Sequence, residues 1–285
     1  MTALWQRQPV GIVGLGLMGG SLGLDLQARG ATVRAFVHRE EAAERARQRA
    51  LAGEVSTDPA VLRDCGLVVL ALPLDRLLAP DPGLLAALPP AAVVTDVGSV
   101  KAPVLAVWEP LLGGRFVAGH PMAGTAQAGV EAGLRGLFQG RPWVATPGDA
   151  TDAEALAAVR GLAEAVGAHW LTCLAADHDR AVALISHLPV LVSAALLQTA
   201  DRAGAALPQL VRALASSGFA DTSRVGGGNP ELGALMARSN REAVLGALAA
   251  YRQEIDALEA RVEARDWDGL QTELAACARM RPEFL

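Results

Sequence analysis

The chain has little cysteine, few aromatic side chains and a single lysine. Cys65, Cys173 and Cys277 are its 3 cysteines, far apart and odd in number. That argues against a disulfide framework or a cysteine-based zinc site, so no metal is expected and a reducing, cytoplasmic setting is. The net charge is −5 and no basic run is interleaved with aromatics, so no nucleic-acid surface is expected. The start lacks a charged segment followed by an apolar core of signal length. Apolar segments elsewhere read as broken by charge, Gly or Pro before membrane-spanning length, so no membrane partner is expected. No internal repeat or low-complexity segment stands out. What is abundant is apolar residues, 52% of 285, enough for two domains with separate cores.

The first apolar run, Val10-Gly11-Ile12-Val13, leads into Gly14-Leu15-Gly16-Leu17-Met18-Gly19 and then the helical Ser21 to Leu26. This is G-x-G-x-x-G in its required context of strand, tight turn and helix. Gly14 permits the turn, Gly16 lets a pyrophosphate approach the backbone, and Gly19 lets helix and strand pack closely. The helix N-terminus supplies free amides for the anion. A dinucleotide cofactor is expected, and the cofactor partner follows from the next strand, Thr32 to Val37. Where an NAD enzyme places an acid for the ribose 2′-hydroxyl stand His38 and Arg39. Arg39 is suited to a 2′-phosphate, which favours NADP, although Glu40 follows directly and a small register change would restore an acid.

Arg115 to Ala118 reads as a short strand, so His120 in Gly119-His120-Pro121-Met122-Ala123-Gly124-Thr125 emerges at a carboxyl end. In an open α/β sheet that edge holds ligands, and a histidine there can exchange a proton near neutral pH. Leu67 to Leu72, ending at Pro73, and Ala92 to Val97, ending in Gly98-Ser99-Val100-Lys101, read as buried parallel strands. Pro142 to Thr146, a helix from Asp152 to Val166, and His169 to Thr172 continue the alternation. From Asp177 onward helical periodicity dominates. The expected architecture is α/β: a Rossmann-type dinucleotide-binding domain over residues 1–173 and an all-helical substrate-binding and dimerisation domain over 174–285. Val244, Leu248, Tyr251, Ile255, Leu258 and Val262 recur at spacings of four and three, a seam suited to a homodimer or to packing within the domain.

Taken in order, Gly14 to Gly19, Asp96 to Lys101, Gly119 to Thr125, Ser186-His187-Leu188-Pro189 and Gly218 to Arg224 resemble the prephenate and arogenate dehydrogenases over most of the chain. The resemblance implies oxidative decarboxylation of a small cyclohexadiene in tyrosine biosynthesis. Arg39 and the stretch Gly226 to Gly233 look most like the NADP-using arogenate branch. It further implies His120 as catalytic proton acceptor, Ser99 as its companion on the substrate hydroxyl, and Arg224, His187 and Thr125 as substrate-binding residues. The cofactor contacts implied are Gly14, Gly16, Leu17, Met18, Gly19, His38, Arg39, Pro73 and Ser99. Lys101 reads equally as a charge near an anion or as an accident of composition.

Two positions depart from the family pattern. Many members have an acid where this chain has Ala126, and many have tryptophan where Gly233 stands. Both bear on the choice between arogenate, which carries an ammonium, and prephenate, which carries a keto group. Glu131 and Asp221 are the carboxylates considered for the ammonium. A β-hydroxyacid dehydrogenase of similar architecture would depend on a lysine in its helical half, and none follows Lys101. A non-catalytic NADP-binding sensor would have no use for His120, Ser99 and Arg224 together.

Overall fold

A computed structural model describes residues 3–125, 127–203 and 207–284, so Ala126 lies outside the described residues. The apolar runs form strands because they are buried on both faces: every residue of β1 (Val10–Val13) and β4 (Leu67–Leu70) is buried. With β2 (Val33–Phe36), β3 (Glu54–Ser56), β5 (Val93–Asp96), β6 (Phe116–Pro121), β7 (Pro142–Thr146) and β8 (His169–Thr172) they make one sheet in the order β3-β2-β1-β4-β5-β6-β7-β8. Neighbours pair in parallel except β6 and β7, which are antiparallel. The order reverses between β2 and β4, on either side of β1, so a crevice opens beyond the carboxyl end of β1. Separate apolar cores cover the two faces, one around Ile12, Leu22 and Phe138 and the other around Val68, Trp108 and Phe116.

After β8 the chain is helical, as expected. Helices run Ala175–Val182, Leu188–Ala203, Pro208–Leu214, Ser217–Ser223, Pro230–Ser239, Arg241–Ala264 and Trp267–Met280. The first two join through a wide π-turn at Ala183–His187, just before Pro189, which has no N–H to continue the regular ladder. One sequence expectation fails here. The joined helix Ala175–Arg202 is long and apolar enough to cross a membrane by composition, because Pro189 is absorbed by the wide turn instead of ending the run. Its buried Asp179, His187 and Ser193 nevertheless meet other protein groups, at Lys101, Asn240 and Gly226. Of the seam on Arg241–Ala264, Val244 is buried, whereas Ile255 and Val262 are exposed.

Candidate active site at the carboxyl edge of the sheet

A cleft of about 780 Å³ opens over the carboxyl ends of β1, β4, β5 and β6. Its floor is the glycine turn. Gly14 has φ +91°, and a Cβ there would lie 2.5 Å from the Ala71 carbonyl oxygen. At Gly19 a Cβ would sit 2.0 Å from the Gly14 oxygen, so helix Leu17–Gln27 approaches the turn only because no side chain intervenes. Gly16, by contrast, has no atom of the chain within reach of a Cβ and faces open space. The first intrahelical donor is the Gly20 N–H, bonded to the Gly16 oxygen, so the preceding amides are left for a ligand. This cradle has the shape and donors that a pyrophosphate needs.

Leu17, Met18, His38, Arg39, Pro73, Ser99, His120 and Thr125 also line the cleft. Arg39 is exposed at the N-cap of helix Glu40–Gln48. Glu40 is turned away. Its carboxylate accepts from Arg47 at 2.7 Å and from the Thr57 hydroxyl at 3.2 Å, and the Arg47 bond holds its pKa below the ordinary value. Glu41 and Glu131 are the acids on the cleft wall, and Glu131 accepts from Arg45 at 2.7 Å.

His120 stands at the end of β6, backed by a buried ion pair. The Lys101 ammonium, fully buried, donates to Asp96 at 2.5 Å and to the Gly119 carbonyl at 2.6 Å. Asp96 also accepts from the backbone N–H groups of Gly98 and Gly119. Lys101 therefore offers no charge to an anion in the cleft; it ties the ends of β5 and β6 together. A Cβ at Gly119 would approach the Asp96 carbonyl to 2.9 Å, which explains glycine beside the histidine. Burial holds the His120 pKa well below its ordinary 6.5, and the positive charge of Lys101 pushes the same way, as do His178 and His187.

The sequence reading missed the partners of His120. His178 Nε2 lies 2.9 Å from His120 Nδ1, and His178 Nδ1 lies 2.7 Å from Asp179 Oδ1. The Asp179 carboxylate in turn accepts the backbone N–H groups of Lys101 at 2.7 Å and Ala102 at 2.8 Å, capping helix Ala102–Leu112 from the helical half. Asn240 donates to the Asp179 carbonyl at 2.7 Å. The only signal in the sequence was the helical periodicity from Asp177 onward, which gives neither residue a role.

Two expected substrate residues stand apart from the cleft. His187 is buried, with its Nδ1 3.3 Å from the Asn240 amide and its Nε2 without a partner, and burial lowers its pKa. Arg224 is exposed in the turn Arg224–Gly227 after helix Ser217–Ser223. Of the two acids weighed for an ammonium, Glu131 is bound by Arg45 and lies 3.5 Å from Arg49, and Asp221 is exposed.

Comparison with known proteins bears on this arrangement. The nucleotide-binding domain of prephenate dehydrogenase matches residues 22–172, and the dimerization domain of prephenate dehydrogenase matches residues 174–276. The crystal structure of an arogenate dehydrogenase from Synechocystis is 41% identical, with a TM-score of 0.84 over 97% of this chain and 100% of that one. A prephenate dehydrogenase from A. aeolicus, solved in complex with hydroxyphenyl propionate and NAD+, is 28% identical, with a TM-score of 0.87 over 98% of each chain. The prephenate dehydrogenase of Bacillus subtilis is 28% identical over 265 residues, 91% of this chain and 71% of that protein.

Proposed function

The chain belongs to the prephenate dehydrogenase family, and from that premise we propose that it oxidatively decarboxylates arogenate to tyrosine with NADP as hydride acceptor. One observation carries the reading: His120 and Ser99 line the same cleft as the Gly14 to Gly19 cradle. A nicotinamide dinucleotide bound there supplies the site that receives the substrate's hydride. The chain's own residues handle binding and the proton. The cradle amides and Gly16 hold the pyrophosphate, with Leu17, Met18 and Pro73 lining the walls. Arg39 and His38 meet the ribose 2′-phosphate, a reading supported by Glu40 being held away by Arg47.

The substrate is a cyclohexadiene with a ring hydroxyl opposite a quaternary carbon that bears a carboxylate. His120 accepts the hydroxyl proton as hydride leaves the same carbon, and Ser99 orients that hydroxyl. The resulting dienone loses carbon dioxide and becomes aromatic. A base that must be neutral at pH 7 needs a low pKa, and burial and Lys101 provide one. Arg224 is assigned the substrate carboxylate, for which a guanidinium gives two-point recognition. Thr125 and His187 are assigned to the substrate side, Thr125 from the cleft wall and His187 from behind it.

We also divide the chain at about residue 173 into a cofactor domain and a helical domain, and assign a cytoplasmic homodimer built through the latter. The exposed Ile255, Val262, Trp267 and Leu274 supply apolar surface for that contact. Prephenate is the second reading, favoured by the engagement of Glu131 with Arg45, which removes one carboxylate from the choice for arogenate's ammonium. The test is a cofactor-reduction assay crossing arogenate and prephenate with NADP and NAD. The highest kcat/KM is expected for arogenate with NADP. A preference for prephenate or for NAD overturns that half of the assignment, and no reduction with any pair overturns it all.

A further inference from the structure

We propose that His178 and Asp179 are positioning residues that keep the proton of His120 on Nδ1, leaving Nε2 as the nitrogen that takes up the substrate's hydroxyl proton. The proposal rests on the assignment of His120 as the base. The backbone N–H groups of Lys101 and Ala102 can only donate, and both are directed at the Asp179 carboxylate, at 2.7 and 2.8 Å. A carboxylate that receives two backbone N–H groups acts toward them only as an acceptor. His178 Nδ1, 2.7 Å from the same Oδ1, must then carry a hydrogen.

A neutral imidazole has one N–H, so His178 Nε2 presents a lone pair. It faces His120 Nδ1 at 2.9 Å, a contact that needs one hydrogen between two nitrogens. That hydrogen belongs to His120, whose Nε2 is consequently bare. In this proposal His178 is a neutral ring, with its one hydrogen on Nδ1 toward Asp179 and a lone pair on Nε2 toward His120. The nearby groups that bear on it are Asp179, the fully buried Lys101, the half-buried His120 and the buried His187. A protonated His178 would add a second buried cation next to that of Lys101. The His178 and Asp179 side chains are 2% and 8% exposed, so water does not compete for these bonds.

The relay also joins the two halves of the molecule. His120 belongs to β6, whereas His178 and Asp179 belong to the first helix after the sheet. Asn240, between helices Pro230–Ser239 and Arg241–Ala264, bonds the carbonyl of Asp179. The base is thus set in its reactive tautomer only when the helical half is docked. As His120 takes the hydroxyl proton on Nε2, its Nδ1–H continues to donate to His178, and the new positive charge faces the Asp179 carboxylate through the His178 ring.

The test has a spectroscopic arm and a kinetic arm. In the wild-type protein without cofactor, ¹⁵N-histidine spectra at pH 7.5 are expected to show His120, one of 5 histidines and assigned by its loss in His120→Asn, with Nδ1 protonated and Nε2 bare. The opposite tautomer, or an even mixture, overturns the proposal whether or not any variant folds. In the kinetic arm, His178→Phe is expected to lose roughly 10²-fold in kcat with substrate KM and cofactor Kd changed by no more than about twofold. His178→Gln, whose amide oxygen reaches the place of Nε2, is expected to recover much of that loss. Equal losses in the two variants, or wild-type kcat in His178→Phe, overturn the relay. His120→Asn separates the two readings. Full turnover there removes the base itself, whereas loss there with wild-type turnover in His178→Phe keeps the base and removes only the relay.

Discussion

The Asp179 carboxylate accepts the backbone N–H of Lys101 at 2.7 Å, although 78 positions separate the two residues. One acid from the helical half thereby caps the helix that follows β5, while the side chain of the residue it caps reaches back to Asp96 and Gly119. The end of β6, with His120, is held between them.

Lys101→Met should destabilise the protein by about 3–5 kcal/mol, the usual cost of leaving one member of a buried ion pair alone. Asp96 would keep its two backbone donors but lose its counter-charge. Urea denaturation measures the effect. An unchanged midpoint would show that the ion pair contributes nothing to stability.

His120→Asn should fold and bind NADP but lose roughly 10²- to 10⁴-fold in turnover, the range for a positioned general base. The neutral imidazole is the active form, so activity falls as pH drops through the His120 pKa. Because that pKa is held well below 6.5, the acid limb of the wild-type kcat/KM profile should lie below pH 6.5 and vanish in the variant. Near-normal turnover in the variant with the limb intact would leave His120 an ordering role only.

Arg39→Ala should cost about 10- to 100-fold in kcat/KM for NADP, the worth of one charge-assisted contact, with little effect on NAD. Steady-state kinetics with both cofactors decide it. Equal losses would make Arg39 a structural cap of helix Glu40–Gln48.

Arg224→Ala should chiefly raise KM for arogenate and leave cofactor affinity nearly unchanged. The exposed position of Arg224, outside the cleft lining, makes this a sharp test. Unaltered substrate dependence would assign the carboxylate to another cation.

The alternation of apolar runs with amphipathic helices, and the glycines at 14, 16 and 19, were sufficient to read the sheet apart from the short edge strand β3, its glycine turn and the change to a helical half. These are local signals: strand burial, turn geometry and helix periodicity depend on residues a few positions apart. The position of His120 and Ser99 was legible for the same reason, since His120 falls in the last residues of one readable strand and Ser99 just after another, both at the sheet's carboxyl edge. The membrane-length helix Ala175–Arg202 was misread because a proline near its middle is ordinarily a break, and only the π-turn before it shows how the run continues.

What tertiary structure alone decided is which charged and polar groups meet. Glu40 follows Arg39 in sequence, yet its carboxylate turns to Arg47 and Thr57; Lys101 read equally as a charge near an anion or as an accident of composition, yet its ammonium binds Asp96 and Gly119. His178 and Asp179 carried no signal beyond helical periodicity until packing placed His178 against His120 and Asp179 behind it. The physical reason is one of range. Backbone preference and apolar burial are written into neighbouring residues, whereas a buried polar group must find its partner wherever the fold brings one within about 3 Å, and that distance is set by the whole chain.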